Sequence, residues 1–175
     1  MKSTIISILL TIVFSLYNGN IMAASTHNNT KTKRLFYIER SVDKSLVCYD
    51  IDSDVDLKGD KRPINVYWLD LDKNIGDTFP ITNFQFSMAY GYNIHFRDQN
   101  TLTITLTAYK DRVITVTQTK ENCGFNATIA INNKECILDH IFVKTSPKNP
   151  LKVEYVKIIG LDPTTSRIET EIIYR

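Results

Sequence analysis

Threonines and aliphatic residues trade places along residues 101–118. Leu102, Ile104, Leu106 and Ala108 alternate with Thr101, Thr103, Thr105 and Thr107. Successive side chains on a strand point to opposite faces, so this period predicts an apolar face turned inward and a threonine face turned to water. Tyr109, Lys110 and Asp111 are expected to turn the chain. Ile114, Val116 and Gln118 then oppose Val113, Thr115 and Thr117 on the return strand. Threonine suits the wet face because a β-branched side chain packs well on a pleated surface.

The same period predicts strands over 34–40, 45–51, 63–70, 125–131, 135–144, 151–161 and 167–174. In the segment 151–161 the alternation slips near Tyr155 and Val156, which predicts a bulge. Residues 71–80 read as a polar loop, and Asn132-Asn133 as a two-residue turn. Residues 81–97 carry two readings. Phe84, Phe86, Met88, Tyr90, Tyr92, Ile94 and Phe96 alternate as in one very long strand, longer than the usual span of about 3–10 residues. A short helix over 81–89 feeding a strand over 90–97, with Gly91 at the change, fits equally. The sum is a mainly β chain, an antiparallel meander of about ten strands joined by tight turns. So many strands must curl or close, so the expected architecture is a barrel or strongly curled sheet with room for one short helix. A two-sheet β-sandwich is the alternative.

The N-terminus departs from this pattern. Lys2 precedes an apolar run over residues 5–16, then Asn18, Gly19 and Asn20 break it, and Ala23-Ala24 offers small residues for cleavage. That is the layout of a secretory signal peptide over 1–24, and the run is shorter than the roughly 20 residues a membrane helix needs. Residues 25–33 are polar and aperiodic and read as a disordered leader, leaving one β-rich domain over 34–175. The expected product is exported, periplasmic or extracellular, without a membrane span in its mature part.

Charge removes one class of partner. The 175-residue chain has 21 basic and 19 acidic residues, whereas phosphate backbones call for a clustered basic excess, so nucleic acid is not expected. Export would permit disulfides, but three cysteines, Cys48, Cys123 and Cys136, leave at least one thiol unpaired. Cys123–Cys136 is tempting by spacing. If Asn132-Asn133 turns the chain, however, Ile129 faces Cys136 and Cys123 lies roughly 20 Å further along the strand, beyond disulfide reach; a distorted strand or a different turn would restore the pair, and three buried, unpaired cysteines are the alternative.

Candidate chemistry is sparse. Asp50, Asp52, Asp54 and Asp56 stand at alternate positions and invite calcium. Counted from Asp50, the sixth and twelfth positions of an EF-hand loop hold Val55 and Lys61; counted from Asp52 they hold Leu57 and Pro63. The pattern fails in both registers, leaving a looser calcium loop or a solvated acidic turn. Histidines are His27, in the leader, His95 and His140. Cys48 with either of the last two would make a nucleophile and base, though Val47 and Tyr49 beside it read as an ordinary strand. No nucleophile elbow, phosphate loop or zinc-protease motif occurs. The denser constellation is aromatic. Tyr67, Trp68, Tyr90 and Tyr92, with Arg40, His95 and Arg97 as polar anchors, form a candidate site for a small apolar or amphipathic ligand inside a barrel. Against it stands a core simply filled by these rings. The other reading is a protein-interaction or structural domain, which an unpaired edge strand or an exposed aromatic patch would support.

Several short phrases recur in a known order: FYIERS at 36–41, VCYD at 47–50, PINVYW at 63–68, AYGY at 89–92, LTAY at 106–109 and LKVEYV at 151–156. On these the chain resembles the exported bacterial family of domain of unknown function 4833, over roughly residues 35–174. The resemblance implies export and a single β-rich domain, and favours the helical reading of 81–89. It implies no activity and no catalytic residues.

Overall fold

The central hairpin forms as its alternation demands, with its turn displaced. In the computed structural model, which describes residues 32–42, 45–71, 76–119 and 124–175, β6 runs Thr101–Leu106 and β7 runs Tyr109–Gln118. Leu102 opposes Val116 and Ile104 opposes Ile114, all four buried. The chain reverses at Thr107-Ala108, and Leu106 pairs with Tyr109. Tyr109, Lys110 and Asp111 therefore belong to the strand rather than the turn, and Ala108, expected inside, is exposed at the tip. The residues between Tyr109 and Ile114 are absorbed instead as a bulge opposite Thr105.

The other strands are β1 Thr32–Arg40, β2 Leu46–Asp52, β3 Ile64–Asp70, β4 Asp77–Pro80, β5 Tyr92–Arg97, β8 Phe125–Ile131, β9 Lys134–Ser146, β10 Asn149–Leu161 and β11 Ile168–Tyr174. Helix α1, Asn83–Gln85, continues as a wider π-turn over Phe86–Tyr90. Thr82 and Gln85 cap it reciprocally: Gln85 N–H donates to Thr82 Oγ1 at 3.2 Å and Thr82 N–H to Gln85 Oε1 at 3.0 Å. Of the two readings of 81–97, the helix-then-strand form is the one adopted. Two expectations shift. The polar loop contains β4, paired with β3, and β1 already includes Thr32 and Lys33 of the expected leader. The expected signal segment, His27 and Cys123 lie outside the described residues.

The strands form one mostly antiparallel sheet, curled into a half-barrel, in the order β4-β3-β2-β1-β9-β8-β7-β6-β5, with β10 and β11 branching from β9. Long β9 creates the branch. Its start pairs with β8 and its middle, His140 to Val143, pairs with β1, while β10 runs along the opposite edge. The β1–β9 pairing is parallel, the exception to the expected meander. A slip of register beside Asp139 separates the two halves of β9. Before it Cys136 and Leu138 are buried, and after it Ile141 is. The expected register at Asn132-Asn133 holds, with Ile129 against Cys136 and Ile131 against Lys134. Both asparagines have positive φ, 49° and 64°, as a tight two-residue hairpin requires.

The curl brings the β1–β4 and β5–β8 wings together over a continuous core that includes Phe36, Tyr49, Ile51, Leu102, Ile104 and Phe125. Phe36 and Tyr49 stack at 4.3 Å. Among the described residues no helix is long and apolar enough to cross a membrane.

Candidate functional site

The aromatic constellation and its polar anchors divide among five places. Arg40, Trp68 and Tyr90 do meet. Arg40 Nη1 donates to Tyr90 Oη at 3.0 Å, and Trp68 packs edge-on against the Tyr90 ring at 5.0 Å. Tyr49, also buried, donates to the Tyr90 carbonyl at 2.7 Å. Tyr92 serves the backbone: its hydroxyl accepts from Ile64 N–H at 3.0 Å and donates to the Ile64 carbonyl at 3.1 Å. β4 reaches no further along β3 than Tyr67, so the Tyr92 phenol completes hydrogen bonding where that strand's edge has no neighbour. Burial pushes the Tyr92 hydroxyl up to about 12 and Tyr49 well above the ordinary phenol value. Both remain neutral donors at neutral pH.

Tyr67 lies on the other face of the sheet. It donates to Asp50 Oδ2 at 2.6 Å and accepts from Arg34 Nη2 at 2.9 Å, while Arg34 Nε pairs with Asp50. Arg97 donates to the Asp60 carbonyl at 2.8 Å, tying β5 to the loop after β2. His95 contacts Thr105, Nε2 to Oγ1 at 2.8 Å. The interior is occupied by large fully buried side chains, Tyr49, Phe36 and Phe125 among them.

The alternating aspartates have a packing origin. Ile51 and Leu57 are buried and Val55 packs against the core, so the residues between them face water. Asp52, Asp54 and Asp56 are exposed, whereas Asp50 is buried and engaged by Arg34 and Tyr67. Among the described residues no group of three or more His, Cys, Asp or Glu side chains converges as a metal site would.

Cys48 and Cys136 are free thiols without solvent exposure. Burial pushes the Cys48 thiol up to about 11, with Arg34 pulling the other way and Asp50 reinforcing the rise. It is therefore held protonated, the form that is not nucleophilic. Tyr37 stands between Cys48 and His140 in the ladder, and its ring stacks on His140 at 4.9 Å. The His140 Nδ1 atom lies 2.7 Å from Asp139 Oδ2.

A surface feature that the sequence reading did not single out is the outer face of β9, β10 and β11. Phe142, Tyr155 and Tyr174 form a row across the three strands, with ring centroids 6.2 and 5.9 Å apart. Beside it Leu161, Ile168 and Ile172 are exposed, and Ile168 and Tyr174 retain 75% and 77% of their surface. The opposite face of β11 is anchored: Glu171 pairs with Arg112 and accepts from Asn132 N–H, and Glu169 pairs with Lys134 at 2.6 Å. β11 pairs with β10 along one edge. Arg175 N–H donates to Glu154 O, and Arg167 O accepts from Asp162 N–H, so the odd-numbered residues turn their backbone groups to β10. The backbone groups of Ile168, Thr170, Ile172 and Tyr174 point the other way. Of these, the Thr170 carbonyl accepts from Asn132 Nδ2 at 3.1 Å. The alternation of Ile168, Thr170, Ile172 and Tyr174 with Glu169, Glu171 and Ile173 was readable in the sequence; which face the core would cover was not.

Comparison with known protein families places the chain. The family model described as Domain of unknown function (DUF4833) matches residues 36–171. No curated protein and no solved structure matches the chain. The matched span includes both wings of the sheet, the β9–β10 branch and most of β11, and on that extent the chain belongs to the DUF4833 family, a β-rich domain of unknown function.

Proposed function

We propose that this chain is an exported protein-interaction domain that takes an extended segment of another protein against β11 and the adjoining outer face. Export rests on the charged, apolar and small-residue order of residues 1–24. Interaction rests on one observation above all: β11 is a seven-residue outer strand whose exposed side chains carry no charge. Edge strands are usually guarded by lysine, proline, a bulge or shortness. β4, four residues long and ending in Pro80, is guarded in that way. β11 keeps one register along β10 and presents isoleucine and tyrosine. An added strand would find backbone partners at Ile172 and Tyr174 and an apolar shelf beside them.

The enclosed-ligand reading has less to rest on, since the aromatic candidates bind one another and the backbone. The test is a photo-crosslinking residue placed at Ile172 in the producing cell. A discrete polypeptide adduct at Ile172, absent when the same residue replaces Asn100, is expected. No adduct at Ile172 or at Ile168 would overturn the reading.

A further inference from the structure

β6 is flanked by two irregularities that meet over one residue. On its β5 side the register changes between Ile94 and Phe96, which leaves His95 as an extra residue. On its β7 side the pairs Ile104–Ile114 and Leu106–Tyr109 leave Thr105 facing residues 110–113. A bulge bends its strand and re-aims the side chains on it. Here two bulges aim at the same place. Thr105 belongs to the threonine face expected to be wet, yet it is only 4% exposed. Its hydroxyl holds His95 Nε2, and Asn93 is its ladder neighbour. Asn93, His95, Thr105, Lys110 and Val113 line an open surface hollow of about 500 Å³, at which every one of these residues but Thr105 is exposed.

The lining favours one charge. Lys110 contributes an ammonium with donors only, Asn93 an amide and His95 its second ring nitrogen. Among the described residues no carboxylate lines the hollow. The nearest acid along the strand, Asp111, lies 3.8 Å from Arg175, and Arg112 is engaged on the far side by Glu171. The geometry points to a binding site for a small oxyanion, the carboxylate or phosphoryl group of a soluble ligand. Lys110 supplies the charge, Asn93 and His95 the hydrogen bonds, Thr105 the orientation of the His95 ring, and Val113 an apolar wall. Charge-assisted hydrogen bonds of this kind are about twice as strong as neutral ones. The hollow is lined by residues of β5, β6 and β7 and by none of β11, so the site stands independently of the interaction reading.

The test is a titration of the purified chain with inorganic phosphate and, separately, sodium acetate at constant ionic strength, followed by amide NMR. Saturable shifts confined to Asn93, His95, Thr105 and Lys110 are expected. Lys110→Gln should weaken the binding roughly tenfold. Lys110 is exposed, so this variant keeps the fold, and its spectrum verifies that directly. Tighter phosphate binding supports the site as one for a phosphoryl ligand, and tighter acetate binding as one for a carboxylate. Shifts that rise linearly over the whole surface, or equal affinity in Lys110→Gln, would overturn the site.

Discussion

Replacing Tyr49 by alanine lowers stability by about 3–5 kcal/mol, the range for deleting a buried aromatic ring. Small domains hold about 5–15 kcal/mol in all, so most of the folded population is at risk. Tyr49 has no exposed surface, stacks on Phe36 at 4.3 Å with planes 16° apart, and donates to the Tyr90 carbonyl at 2.7 Å. It joins β2 to the end of the π-turn, across the gap between the two wings. Alanine leaves a cavity there and strips the Tyr90 carbonyl of a partner. Tyr49→Phe isolates the second effect and should cost about 1–3 kcal/mol, the penalty of a buried group left unsatisfied. Urea denaturation of the three proteins should rank them wild type, Tyr49→Phe, Tyr49→Ala. Equal midpoints for wild type and Tyr49→Ala would mean that the wings are not held together through this ring.

Gly91→Ala is the second large effect, and it comes from excess volume. A Cβ at Gly91 would collide with the Phe86 carbonyl oxygen and with the Phe86 ring. That carbonyl accepts the Gly91 N–H at 2.8 Å and closes the π-turn. Neither neighbour is free to move. The Phe86 ring lies edge-on to Tyr92 at 5.5 Å with the Arg62 guanidinium 4.4 Å above it, and Thr107 N–H donates to the Gly91 carbonyl at 2.8 Å. Overpacking of this kind costs about 1–3 kcal/mol. The variant should show a lower urea midpoint together with faster hydrogen exchange at Ile64, because Tyr92 would be displaced from that backbone. An unchanged midpoint would show that the turn has slack the close approach denies.

Much of the fold was legible because alternation is a local signal. The strands on either side of Asn132-Asn133, the hairpin core of Leu102, Ile104, Ile114 and Val116, and the change of conformation at Gly91 all follow from residue order. What was not legible depends on partners distant in sequence. The parallel β1–β9 pairing joins Tyr37 to His140, and no short-range pattern encodes it. The turn at Thr107-Ala108 escaped because Tyr109, Lys110 and Asp111 look more like turn residues. The broken alternation between the two threonine strands was the available sign of a bulge. The aromatic residues were read as neighbours from their number. Two faces of one sheet separate Tyr67 from Tyr92, and face depends on register, which the neighbouring strand sets. His95 was singled out, but Asn93, Thr105 and Lys110 were not, since only the paired bulges bring them to it.

The central claim is that this domain works through its surface and not through an enclosed ligand. Native mass spectrometry of the chain isolated from its own source, set against a denatured sample, tests that most directly. The account predicts complexes whose added mass is that of whole polypeptides, with no apolar small molecule retained by the isolated chain. A retained amphipathic molecule, lost only on denaturation, would contradict it and would return Arg40, Trp68 and Tyr90 to the lining of a binding cavity.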